Sequence, residues 1–553
     1  TNWQSKTGAQ NSPDDTTGES PPPPTLHEFT VEGLTVHYTH DTARYEANIN
    51  ALHTTRLAID APFDISLQAT LVDHTGELQA ATGITGQLVY RSTNRLGFNN
   101  LVAVTTVTDK EQPYPEVQLV TDGEWHPDRT ALVLNRADIS LSSLKLSLTG
   151  MISLATSPRF DGKLVLESAN LSQLATDLNF ETPVTTLQLE SGLSASTDTY
   201  HLDTLKGRFD ETNFKGKLSI GSSRLIGDLR LDQLNTGLYL KDNGGSSDTP
   251  TTASSTPDSE LIPISLLTST AIDAIARIDQ LHHADNQYTR TKIEIHNDKQ
   301  KMSVMANTQV HGGKLVAMLN TDFTPPILSS VDLSMDRLDA TAAVATEGIT
   351  GTLTGNSSLR FDGTTISQLE NSLAGESAFT VTDGTLDVRP LKEIAATVDT
   401  ILGKQSRIST WPDTMPFELL AGQHVFQTGT SQGQVFNGQL ENLHLTALGG
   451  FDLSAETLDY QVTAMFEKGN NGQFTVSDQL AGIRWPMTCQ GTFDEAISDL
   501  CFGQDSAIQD LVTDIAKQDL KRRGNEKLND IIEEKVPEEL KELTRDLLKG
   551  LFK

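Results

Sequence analysis

A period of two constrains this chain more than any other feature. Leu353, Gly355, Ser357, Leu359 and Phe361 alternate with Thr352, Thr354, Asn356, Ser358 and Arg360. Successive side chains of an extended backbone point to opposite sides, so this spacing makes a strand with one apolar and one polar face. The surrounding stretch, Gly351 to Val388, contains the rest of the local grammar. Asp362-Gly363 predicts a turn, Ile366 to Leu373 a short amphipathic helix, Phe379 and Val381 a resumed strand, and Asp383-Gly384 a second turn.

The alternation recurs along most of the chain. It runs through Phe29 and Val31, then Leu34, Val36 and Tyr38 around Gly33, and through Phe63, Ile65, Leu67, Ala69 and Leu71. It returns at Ile84 to Tyr90, Leu144 to Ile152, Phe214 to Ile220, and Leu458, Tyr460, Val462, Ala464 and Phe466. Strands at this density, with little helix between them, predict antiparallel sheet rather than a doubly wound parallel one. Helical spacing interrupts it at Ala169 to Phe180 and Leu391 to Leu402, and Ile262 to Ile278 fits either period.

Composition shifts divide the chain. Residues 1–24 end in four prolines and read as a disordered, Pro-rich linker, and 242–260, DNGGSSDTPTTASSTPDSE, is too apolar-poor to offset its ordering entropy. They bound a first β region, 25–241, and a second, 261–503. Residues 504–553 change to helical spacing, with Leu540, Leu543, Leu547 and Leu551 on one stripe. From Lys517 to Lys553 ten basic residues stand against nine acidic, so this tail is nearly neutral.

The whole chain is strongly acidic, with 73 Asp and Glu against 42 Lys and Arg, for a formal net charge of -31. Such a surface repels a phosphate backbone, which argues against nucleic-acid binding, and it discourages edge-to-edge association of strands. It also fits a saline habitat. The sequence has no run of about 20 apolar residues and no signal peptide, and Thr1 in place of Met predicts a processed or truncated chain. The two cysteines, Cys489 and Cys501, are close in sequence; a disulfide across a hairpin and two separate thiols both fit.

No catalytic constellation stands out. Gly429-Thr430-Ser431-Gln432-Gly433 has the G-x-S-x-G spacing of a nucleophile elbow, but strand-like sequence follows where that elbow needs a helix. His37 with His40 and His282 with His283 lack partners at zinc-ligand spacing, and Gly312-Gly313 precedes a strand rather than a phosphate-cradling helix. We therefore expect no catalytic residue, no metal and no cofactor, and a protein that is not an enzyme.

Several segments, in their order, carry a family resemblance. They are Asn2-Trp3, Gly227-Asp228-Leu229-Arg230-Leu231-Asp232 leading to Tyr239-Leu240, Val310-His311-Gly312-Gly313-Lys314-Leu315, Gly351 to Val388, and Pro486-Met487-Thr488-Cys489 with Gly491 and Cys501. In these the chain resembles the AsmA family of Gram-negative envelope proteins, related to bridge-like lipid transfer proteins. The resemblance implies an elongated antiparallel sheet curled into an apolar groove, in a periplasmic domain held to the inner membrane by an N-terminal helix that would precede Thr1. It also implies a Cys489–Cys501 disulfide, formed in an oxidising compartment.

By the same resemblance, the ligand is phospholipid moving between inner and outer membranes during outer-membrane biogenesis, with other envelope proteins as possible partners. Roughly 25 strands at about 4.8 Å would give a groove on the order of 120 Å long. Candidate lining residues are Leu353, Leu359, Phe361, Phe379, Val381, Leu458, Tyr460, Val462 and Phe466. The competing expectation is a non-catalytic structural or assembly factor for outer-membrane components, in which the same apolar faces form a packed core.

Overall fold

Alternating β-branched and apolar residues extend the backbone, and tight turns fold each strand back on the one before it. The computed structural model describes residues 27–40, 43–73, 78–109, 112–155, 157–178, 182–239, 262–344, 348–401, 408–440, 442–467, 474–477, 480–492, 495, 500, 512, 513 and 515–524. Strand accounts for 68% and helix for 12%, so the fold is mainly β. Residues 1–24 and 242–260, Cys501 and most of 504–553 lie outside the described residues. The chain forms two compact units, Thr1–Asp210 and Glu211–Lys553.

The first unit contains β1 (Phe29–His40), β2 (Ala43–Thr54), β3 (Pro62–Asp73), β4 (Leu78–Arg91), β5 (Arg95–Asp109), β6 (Gln112–Pro113), β7 (Val117–His126), β8 (Ala131–Leu141), β9 (Leu144–Ser153), β10 (Arg159–Ser168), β11 (Leu187–Ala195) and β12 (Thr199–Phe209). Each pairs antiparallel with the next, except that the short β6 lies beside the end of β5, and β7 continues the ladder from β5. Bulges interrupt the register at Ile49/Ala51, Thr85/Gln87, Phe98/Leu101, Leu134/Ala137 and Glu190/Gly192. Each adds local twist and bend, which coils a sheet that would otherwise stay open. Helix α1 (Leu171–Asp177) is capped by Asn170, whose side chain accepts from Gln173 N.

The second unit contains β13 (Thr212–Gly221), β14 (Arg224–Asn235), α2 (Ile264–Ser269), β15 (Ala271–His283), β16 (Asn286–Asn297), β17 (Lys301–Val310), β18 (Gly313–Asp322), β19 (Leu328–Asp339), α3 (Ala340–Val344), β20 (Thr352–Asp362), α4 (Ile366–Ser372), β21 (Ala374–Asp387), α5 (Arg389–Ile401), β22 (Thr414–Gln427), β23 (Thr430–Leu440), β24 (Leu443–Asp452), β25 (Thr457–Phe466) and β26 (Arg484–Thr492). Consecutive strands again pair antiparallel, with one exception. β14 and β15, the strands on either side of segment 242–260, pair with each other in parallel. A parallel partner cannot be reached by a hairpin, so the chain needs a long return there.

Two local expectations change. Asp383-Gly384 makes no turn: Asp383 takes a left-handed φ of 53° inside β21, and the strand continues to Asp387. Pairing with Met415 and Phe417 of β22 holds the strand in place beyond that point. The ambiguous stretch 262–278 splits into α2 and the start of β15, where Ile272, Ala274, Ala276 and Ile278 alternate. Helix α4 forms as expected and is closed by a capping box between Thr365 and Gln368.

Candidate functional site

In the first unit the registers line up one apolar row. Leu52, Leu67, Ile84, Ala103, Leu119, Ile139, Leu146, Leu166 and Leu189 stand opposite one another from β2 through β11. Every one is half-buried, while Asp64, Ser66, Gln68, Lys145, Glu167 and Glu190, pointing the other way, are exposed. Among the described residues of this unit the one helix is α1, attached at strand ends through Ser143, which donates to the carbonyl of Asn170.

Glycines allow close approach between neighbouring strands. Gly150 and Gly162 face each other across β9 and β10, and a Cβ on Gly162 would overlap the Thr149 carbonyl oxygen. A Cβ on Gly123 would lie 2.5 Å from the ring of Phe98, its cross-strand partner. An aromatic ring lies over a glycine in the same way where Phe379 covers Gly422 and Phe417 reaches Gly384.

In the second unit two rows run side by side across β20 to β26. The first comprises Leu353, Val381, Leu420, Gly438, Leu445, Ala464 and Trp485; the second comprises Gly355, Phe379, Gly422, Phe436, Ala447, Val462 and Met487. Most of the first row is packed dry, with Leu420, Ala464 and Trp485 at 0% exposure, while Leu445 is half-buried against it. Ala395 of α5, Ile408, Trp411, Phe474, Leu480, Ile483 and Ile515 complete that core. The Trp411 indole donates to the carbonyl of Thr475 at 3.1 Å, and Asn442 Nδ2 donates to that of Phe474 at 2.6 Å. In the second row Phe379, Ala447, Val462 and Met487 are half-buried.

Beyond the second row, on the same face, come Ser357, Ser377 and His424 on β20 to β22 and Gly449, Tyr460 and Cys489 on β24 to β26. Ser357 and Ser377 share a hydrogen bond of 2.7 Å, and the His424 ring stacks on Phe379 at 5.9 Å. Burial pushes the Tyr460 phenol upward. A cavity of about 810 Å³ lies mainly on the reverse of these strands, lined by Thr430, Leu448, Asp452, Asp459, Gln461 and Gln490.

All nine candidate lining residues share this face, but in two environments. Leu353, Val381 and Phe466 belong to the dry core, and Phe361 is buried in a smaller cluster with Leu373 and Phe426. Leu359, Phe379, Leu458, Tyr460 and Val462 are half-buried. Alternation puts residues on a face without saying whether anything covers it, so sequence alone does not separate these groups. His424 is absent from the sequence-based candidates, although Leu420, Gly422, His424 and Phe426 alternate as clearly as any strand.

The other motifs take structural roles. Thr428 (φ 49°) and Gly429 (φ 77°) form the hairpin turn between β22 and β23, and Ser431 Oγ accepts from the backbone N–H of Phe451 at 2.8 Å. His311 and Gly312 turn β17 into β18. The His37 side chain is exposed on β1, and His283 Nδ1 lies 2.8 Å from Thr236 Oγ1. Among the described residues no group of three or more His, Cys, Asp or Glu is placed to hold a metal ion. Cys489 is buried and disulfide-bonded. No described helix is long and apolar enough to cross a membrane.

Comparison with known proteins finds no family that matches this chain and no curated protein that matches it.

Proposed function

We propose that this protein binds the acyl chains of phospholipids on its apolar sheet face and carries them between membranes, as a periplasmic AsmA-type protein anchored in the inner membrane would. The observation that carries the reading is the row from Leu52 to Leu189, apolar and half-buried on every strand it crosses. A sheet face has its backbone groups committed to the ladder, so it offers an occupant no backbone hydrogen bonds. What it offers is dispersion and release of water, which suits hydrocarbon rather than peptide.

Each methylene withdrawn from water contributes about 0.8 kcal/mol, so a 16-carbon tail left in water costs on the order of 12 kcal/mol. A continuous apolar track lowers that cost at every step while the headgroup stays in solvent. The mechanism requires no reacting side chain: tails slide and the sheet excludes water.

Mass spectrometry of the native protein purified from cells, followed by solvent extraction, tests this. Co-purifying phospholipid is the expected result, and Leu146→Lys, which places an ammonium mid-row in the first unit, should lower the amount retained while the protein still folds. Repeated absence of lipid from the unsubstituted protein would overturn the reading and favour an assembly factor that acts through protein contacts.

A further inference from the structure

We infer that, in the second unit, bound acyl chains occupy the face only up to the line between its two adjacent rows: Phe379, Ala447 and Val462 contact lipid, and Val381, Leu420 and Ala464 do not. The inference rests on the lipid reading above and adds to it a boundary. The register between the rows is maintained from β20 to β26, and the step from sealed to half-buried falls between them on β20, β21, β25 and β26. On β22 Gly422 is buried as well, beneath the Phe379 ring, and on β24 Leu445 and Ala447 are both half-buried. On β25 the step falls between Val462, half-buried, and Ala464, at 0% exposure.

Three separate parts of the chain build the covering layer. α5 and Trp411 come from the connection between β21 and β22, Phe474, Leu480 and Ile483 from the connection between β25 and β26, and Ile515 from the helical residues that follow β26. Polar contacts fasten each part. Lys392 Nζ donates to the carbonyl of Trp411 at 2.7 Å, Asn442 donates to that of Phe474, and Arg522 Nη1 donates to that of Ala481 at 2.8 Å. Lifting the layer would expose Trp411, Phe466, Phe474 and Trp485 together, and a close-packed core of this kind excludes a chain from outside unless it is dismantled. On the far side of the line the face continues through His424, Leu458 and Tyr460, all half-buried and outside that packed layer.

The native tryptophans make the test direct. Trp3 and Trp125 are replaced by Phe, leaving Trp411 and Trp485, both in the covered layer. The protein is loaded with a phospholipid brominated in mid-chain, whose bromines quench indole emission on contact, and loading is checked by native mass spectrometry. Emission should be unchanged in this background and lost from a reporter added by Tyr460→Trp, with Phe379→Trp as an independent reporter should the first substitution perturb folding. Quenching of the background tryptophans overturns the inference, as does retained lipid that quenches neither reporter; both leave the lipid reading intact. If no lipid is retained, the lipid reading itself fails and the boundary fails with it.

Discussion

Gly123 shows how little tolerance single residues have in this sheet. A methyl group there would overlap the Val133 carbonyl oxygen as well as the Phe98 ring. Gly123→Ala should destabilise the first unit by roughly 1–3 kcal/mol, the usual range for overpacking, and trimming Phe98 to Leu should recover only part because the backbone oxygen cannot yield. Thermal melts of the single and double variants check this. Asp273 makes a different kind of residue-scale prediction. Hydrogen bonds from Arg224 and then from His296 hold its carboxyl below the ordinary carboxylate value. A depressed value means that the unfolded chain takes up the proton first, so the stabilisation is complete above the unfolded value and is lost as pH falls through the folded one. The melting-temperature gap between wild type and Asp273→Asn should therefore be constant from about pH 7 to about 5 and close below about 4. A gap that already narrows between pH 7 and 6 would contradict the assignment.

At the scale of elements, the parallel β14–β15 pair departs most from the pattern around it. Every hairpin sets its own register through its turn, but this pair has none. Side chains join it instead: Arg224 to Asp273 at 2.7 Å, Arg230 to Asp279 at 3.1 Å, and Asp228 to Arg277. All are exposed, and each is worth about 0.2–1 kcal/mol. Asp228→Arg should speed amide exchange in both strands, and adding Arg277→Asp should restore protection; a double variant no better than the single would exclude a pairwise role. The end of the sheet at β26 is handled differently. The Gln518 amide accepts from Arg484 N at 3.2 Å and donates to Arg484 O at 3.0 Å, occupying backbone groups that an open edge would leave to another strand. Helix α4 depends on its cap, and Thr365→Ala should cost about 1 kcal/mol, read as faster exchange of the Gln368 amide.

For the molecule as a whole, a net charge of -31 is a destabilising self-repulsion that mobile ions screen over about 8–10 Å. Raising salt from about 0.01 M to 0.15 M and above should raise the melting temperature, because the Debye length falls from about 30 Å to 8 Å. Stability insensitive to salt would show that the charges are too dispersed to repel. Much of the architecture was legible in the sequence. The strands at Phe63 to Leu71 and Leu458 to Phe466 and the helices near Leu171 and Leu391 follow from local periodicity, and the Asp362-Gly363 turn before α4 follows from its residue types. The left-handed residue at Asp383 was not legible as part of a strand, since Asp-Gly favours that conformation equally in a turn and within a strand.

Period-two alternation, by itself, determined that this chain forms antiparallel sheet and which side chains share a face, because side-chain direction in a strand depends only on position along it. It determined neither what covers that face nor where. Val462 and Ala464 have the same parity on one strand, yet one is half-buried and the other is sealed. The difference comes from Trp411, Phe474 and Ile515, which reach the face from distant connections. Burial depends on which parts of the chain meet in space, so only the tertiary structure decided where an open apolar face ends and a packed core begins.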